Sequence, residues 1–134
     1  MEERTYGGKR GHEGTDLMPP TNQRGFYPVF SATAGTVEHM GWLQKGGWRI
    51  GIRSEQGGYF YYAHLSEYAP GMEEGKTVEA GEMLGYMGDS GYGEEGTVGQ
   101  FAVHLHFGIY IQTADGREVS VDPYWILKGL EGES

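Results

Sequence analysis

Residues 101–111 read Phe101-Ala102-Val103-His104-Leu105-His106-Phe107-Gly108-Ile109-Tyr110-Ile111, the strongest strand signal in the chain. In a strand, successive side chains leave opposite faces. Leu105 can then enter a core, while His104 and His106 stand together on the other face with their roots about 7 Å apart. Downstream, Ala114-Asp115-Gly116-Arg117 reads as a hairpin turn and residues 118–121 as the returning strand. Upstream, residues 48–53 (WRIGIR) and 59–64 (YFYYAH) flank Gln56-Gly57-Gly58 and read as a second hairpin. Short strands are expected over 27–33 and 36–40, punctuated by Gly35, and over 77–78 and 83–87, separated by Ala80-Gly81. Residues 88–99 form a long glycine- and acid-rich loop. The first 25 residues read as loop. Asp122 as N-cap and Pro123 at the first helical position predict a short helix over 123–130.

Strands about ten residues apart with turn signals between them predict a mainly β chain. The expected architecture is an antiparallel two-sheet sandwich or open barrel with glycine-rich loops and a short C-terminal helix, one domain over residues 1–134. Composition agrees. Glycine is 25 of 134 residues, about 19% against a usual ~7%. With only 5 prolines and no Gly-X-Y period, this is neither collagen nor a Pro/Gly-rich disordered chain. Helical bundles are excluded, because glycine weakens a helix interior by about 1 kcal/mol relative to alanine.

The formal charge of −9 argues against binding a phosphate backbone or an anionic membrane surface. With no cysteine there is no disulfide, thiolate metal site or cysteine nucleophile. No apolar run reaches a membrane-spanning length. The charged start, Met1-Glu2-Glu3-Arg4, lacks the apolar segment of a signal peptide. An intracellular protein, or a domain of a longer secreted one, fits these features.

Five histidines are present: His12, His39, His64, His104 and His106. Catalytic zinc needs three protein ligands and an open fourth position for water. His12, Asp16 and one of His104 or His106 would supply three. Two further histidines then remain for proton transfer and for stabilising a tetrahedral intermediate. His39 belongs to no motif and reads as a surface strand residue. Tyr59, Tyr61 and Tyr62 alternate faces, and Trp42 and Trp48 flank Gly46-Gly47 as hairpin packing. Glu73-Glu74 and Glu94-Glu95 read as solvated loop charges. Asp89-Ser90 has no base at readable spacing and is not read as a nucleophile.

His12-x-x-x-Asp16, Tyr62-Ala63-His64-Leu65-Ser66 and His104-Leu105-His106-Phe107, in this order, resemble the lysostaphin/LytM-type zinc metallopeptidases. The resemblance extends through Ala34-Gly35-Thr36-Val37, residues 75–81, Gly85-Tyr86-Met87-Gly88-Asp89-Ser90-Gly91 and Val121-Asp122-Pro123. It covers roughly residues 6–127. Residues 18–24 look like a local insertion. The resemblance implies one zinc ion held by His12, Asp16 and His106, with His64 and His104 as unligated catalytic histidines. It also implies a role for Tyr6 at the oxyanion. The implied function is zinc-dependent hydrolysis of peptide stems or cross-bridges of bacterial peptidoglycan, by a monomer working outside the cell or in its envelope. A silent family member that binds and activates a cell-wall amidase is the alternative. Such a relative usually lacks metal ligands, and this chain lacks none. A phosphocarrier domain of sugar transport would leave His12 and Asp16 without a role.

Overall fold

A computed structural model describes residues 14–121 of the chain. Nine strands are present among them: β1 (Thr15–Leu17), β2 (Pro28–Phe30), β3 (Gly35–Leu43), β4 (Gly47–Ser54), β5 (Tyr59–Tyr68), β6 (Thr77–Val78), β7 (Met83–Met87), β8 (Leu105–Gln112) and β9 (Glu118–Val121). The mainly antiparallel β expectation holds. The helix expected over residues 123–130 lies outside the described residues, and the described residues contain no helix long and apolar enough to cross a membrane.

The strands form one connected antiparallel sheet, ordered β1-β8-β5-β4-β3-β6, with β7 joined to β5, β2 to β7 and β9 to β8. In place of the two sheets expected, there is thus a single sheet, whose continuity runs through β5. Its residues 59–63 pair with β8, and Leu65, Glu67 and Tyr68 then pair with β7. β3, β4 and β5 are successive antiparallel neighbours, as the glycine turns between them predict.

Alternation sorts the two faces. Ile50, Ile52, Tyr62, Leu65, Leu105, Phe107 and Ile109 are all buried and form the core with Val37, Val78 and Leu84. Burying side chains of this size stabilises the fold by about 1.5–3 kcal/mol each. The other face of the same strands carries Arg49, Tyr59, Tyr61, His106 and Tyr110. Tyr62 reaches out of the core only through its hydroxyl, which accepts a hydrogen bond from Ala32 N at 2.9 Å.

The strand Thr15–Leu17 lies inside the stretch read as loop. It is three residues long, too short to show a period. It forms by adding to the edge of β8, with Thr15 opposite Phe107, Asp16 opposite His106 and Leu17 opposite Leu105. His39 is exposed on β3, as expected, and shares a 2.9 Å hydrogen bond with the Tyr59 hydroxyl. Trp42 and Trp48 face one another across the β3–β4 hairpin with rings edge to face, 5.1 Å apart.

Candidate active site

β1, β8 and β5 lie side by side, and their pairing brings the site together. Asp16 is opposite His106, and His106 is opposite Ala63. Asp16 Oδ1 accepts a hydrogen bond from His106 Nδ1 at 2.8 Å and lies 3.8 Å from His104 Nε2. The bond from His106 holds the Asp16 carboxyl below its ordinary range, with the neighbouring imidazoles adding to the effect against partial burial. Asp16 is therefore a carboxylate at neutral pH.

His64 sits where β5 changes partners. Trp48 pairs with Leu65 and Ile50 with Tyr62, so Ala63 and His64 together oppose the single residue Arg49. This is a β-bulge, a device that re-aims a side chain. His64 takes a left-handed backbone (φ 66°) there, uncommon for a residue other than glycine. Its backbone N donates to Gly46 O at 2.7 Å instead of to a ladder partner.

The buried His64 ring donates from Nδ1 to Ser90 O at 2.7 Å. A carbonyl only accepts, so the proton is on Nδ1, and Nε2 is left as the nitrogen that takes or gives a proton. His104 repeats the arrangement, with Nδ1 bonded to Ala102 O at 2.9 Å. The two rings lie 4.8 Å apart between centroids. Burial pushes the His64 pKa down to about 4, against the opposing effect of the Ser90 bond. His64 is accordingly neutral at pH 7.

Ser90 was not expected to matter, yet it anchors this region. It is fully buried. Its hydroxyl donates to Leu65 O at 2.7 Å and accepts from Trp48 N at 3.1 Å. Gly47 is obligatory beneath it: φ is +65°, and a Cβ there would lie 2.4 Å from Ser90 O. Next to Ser90, the buried Asp89 accepts two bonds from Arg24, at 2.7 and 3.1 Å. Asn22 Oδ1 accepts from Val103 N at 2.7 Å, one residue before His104. The segment read as an insertion is thus stitched to both sides of the histidine pair. Two aromatic rings, Tyr92 from the glycine-rich loop and Phe101 just after it, complete the wall. Phe101 is edge-on to His64 at 4.6 Å, and Tyr92 stacks on it at 6.1 Å.

Of the residues expected in the site, Asp16, His64, His104 and His106 converge. His12 and Tyr6 lie outside the described residues. Among the described residues no three histidines, cysteines or acids form a group that could hold a metal. The two described donors nevertheless suit one. They are a carboxylate oxygen and an imidazole nitrogen, both zinc ligand types, on neighbouring strands at paired positions. Their 2.8 Å separation is close to the roughly 3.3 Å between two ligands of a tetrahedral zinc. A third donor from the chain preceding β1 would complete the protein's share.

The chain matches the model of peptidase family M23 over residues 10–123. It is 46% identical over 129 residues to the L-Ala–D-Glu endopeptidase of Bacillus subtilis, covering 96% of this chain and 38% of that protein. It also resembles the crystal structure of a candidate glycyl-glycine endopeptidase lytM from Ruminococcus gnavus. There the TM-score is 0.80 and the identity 62%, covering 90% of this chain and 47% of that one. The catalytic domain of lysostaphin from Staphylococcus simulans superposes with a TM-score of 0.65 at 30% identity, covering 87% of this chain and 79% of that one. The chain spans well under half of the curated Bacillus relative.

Proposed function

Because the chain belongs to peptidase family M23, we propose that it is a zinc-dependent endopeptidase that hydrolyses peptides of bacterial peptidoglycan, acting at the cell envelope. The observation that carries the reading is the meeting of Asp16 with His106 beside two further imidazoles, each with Nδ1 tied to a backbone carbonyl. A pure binding protein has no need of two such histidines beside a carboxylate and an imidazole at ligand spacing.

Asp16 and His106, with His12, would hold the zinc. Bound zinc supplies Lewis-acid polarisation of the scissile carbonyl and brings the pKa of a water to about 7. His104, its Nε2 3.8 Å from Asp16 Oδ1, takes the proton of the attacking water and returns it to the leaving amine nitrogen as the C–N bond breaks. His64, buried and neutral with its one N–H on Ser90 O, offers a bare Nε2 that must first take a proton from the attacking water before it can donate at the oxyanion or the leaving amine. Ser90 fixes its tautomer and Phe101 its ring plane. Tyr92 and Phe101 narrow the site so that an extended peptide lies along the sheet face.

The test is release of new amino groups from purified peptidoglycan by the zinc-loaded chain, with and without chelator. Release that stops on chelation and returns with zinc supports the proposal. A zinc-loaded chain that frees no amines overturns it.

A further inference from the structure

Resting on that reading, we infer that Arg49 recognises a free carboxylate on the substrate, which makes an acidic stem peptide, and not a glycine bridge, the peptide this site takes. An open pocket of about 420 Å³ is lined by Leu43, Arg49, Tyr59, Tyr61, Tyr110 and Glu118. One of its walls, Tyr61, borders the site, its ring edge-on to His106 at 6.3 Å. Arg49 opposes Ala63 and His64 at the bulge, and Ala63 pairs with His106. Arg49 is thus two strand spacings, roughly 10 Å, across the sheet from His106. Ile50 and Ile52 point into the core, so Arg49 projects from the face that carries the site.

The pocket is built to receive a ligand. Tyr59 lies over Gly51, where a Cβ would fall 1.8 Å from the tyrosine hydroxyl, and Tyr61 reaches over Gly46. Both tyrosines thus lean over glycine backbone, where any larger residue would block them.

Charge pairing singles out Arg49. Arg24 is paired with Asp89, Arg53 with Glu38 and Glu118, and Arg117 with Asp115. Among the described residues Arg49 has no carboxylate at ion-pair distance. Its Nη1 donates to Met40 O, which steadies the guanidinium without neutralising it. In a chain of net charge −9, a half-buried arginine left without an acid faces a pocket. A guanidinium fork recognises a carboxylate through two parallel hydrogen bonds. A glycine bridge has no side-chain carboxylate to offer.

The test is calorimetric titration of the chelated chain, so that nothing is cut. The ligands are a stem-type peptide containing D-glutamate with its α-carboxylate free and the same peptide with that group amidated. The wild type should prefer the acid by about tenfold or more, and Arg49→Gln should abolish the preference. Arg49→Lys, which keeps the charge without the fork, should retain only part of it and decides the matter if Arg49→Gln does not fold. Equal affinities in the wild type, or an unchanged preference in a folded Arg49 variant, overturn the inference. Peptidoglycan cleavage by the zinc-loaded wild type is scored separately. A chain that keeps the carboxylate preference but cuts nothing retains the Arg49 site and loses the peptidase reading.

Discussion

Asp16 Oδ1 and His106 Nδ1 stand 2.8 Å apart although ninety positions separate them in the chain. The contact exists because β1 adds to the edge of β8 in a register that sets the two residues opposite one another. Everything proposed for the metal depends on that register. A slip of one residue would turn Asp16 to the other face of the sheet.

His104 and His106 share a face but are expected to separate in function. His104→Ala should lower kcat by about 10²- to 10⁴-fold, the usual contribution of a general base, and leave the zinc content near that of the wild type. Turnover and metal content measured on the same samples check this. A His104→Ala chain that arrives without zinc would reverse the roles assigned to the two histidines.

His64 should make stability sensitive to acid. Its folded pKa of about 4 lies below the ordinary 6.5, so the unfolded chain takes up a proton that the folded chain resists. The stability is fully present above pH 6.5 and is lost as pH falls toward 4. The loss reaches about 2 kcal/mol at pH 5 and about 3 kcal/mol in all. Thermal melts of the chelated chain between pH 7.5 and 5 should be shallower in pH for His64→Asn, a residue that also tolerates positive φ. Parallel profiles for variant and wild type would contradict the account.

Ser90→Ala should destabilise the fold by about 2 kcal/mol. It removes the partner of Leu65 O and of Trp48 N where water cannot replace it. The variant keeps the backbone Ser90 O that holds His64 but loosens the loop that carries it, so kcat should fall while zinc content stays. Denaturant unfolding and turnover measure the two effects. A neutral variant would mean that the hydroxyl does not anchor the loop.

The sheet and the histidine face were legible because alternation is a local signal. Leu105, Phe107 and Ile109 declare one side of β8, and His106, with His104 just before the strand, the other. β1 was not legible, since three residues hold no period and its strand state comes only from β8. The environment of His64 was equally hidden. Its bulge arises from pairing with β4 and its tautomer from Ser90, 26 residues away. Arg49 looked like an ordinary strand residue, because its significance lies in which arginines elsewhere have acids beside them. The expectations for His12, Tyr6 and the terminal helix concern residues outside those described.

The most direct measurement is the zinc bound per chain, by elemental analysis after equilibration with zinc and removal of the excess, for the wild type, Asp16→Ala and His106→Ala. One ion on the wild type, with most of it lost from each variant, is the expected result. An empty wild-type chain, or variants that hold as much zinc as the wild type, would contradict a metal centre built on these two strands.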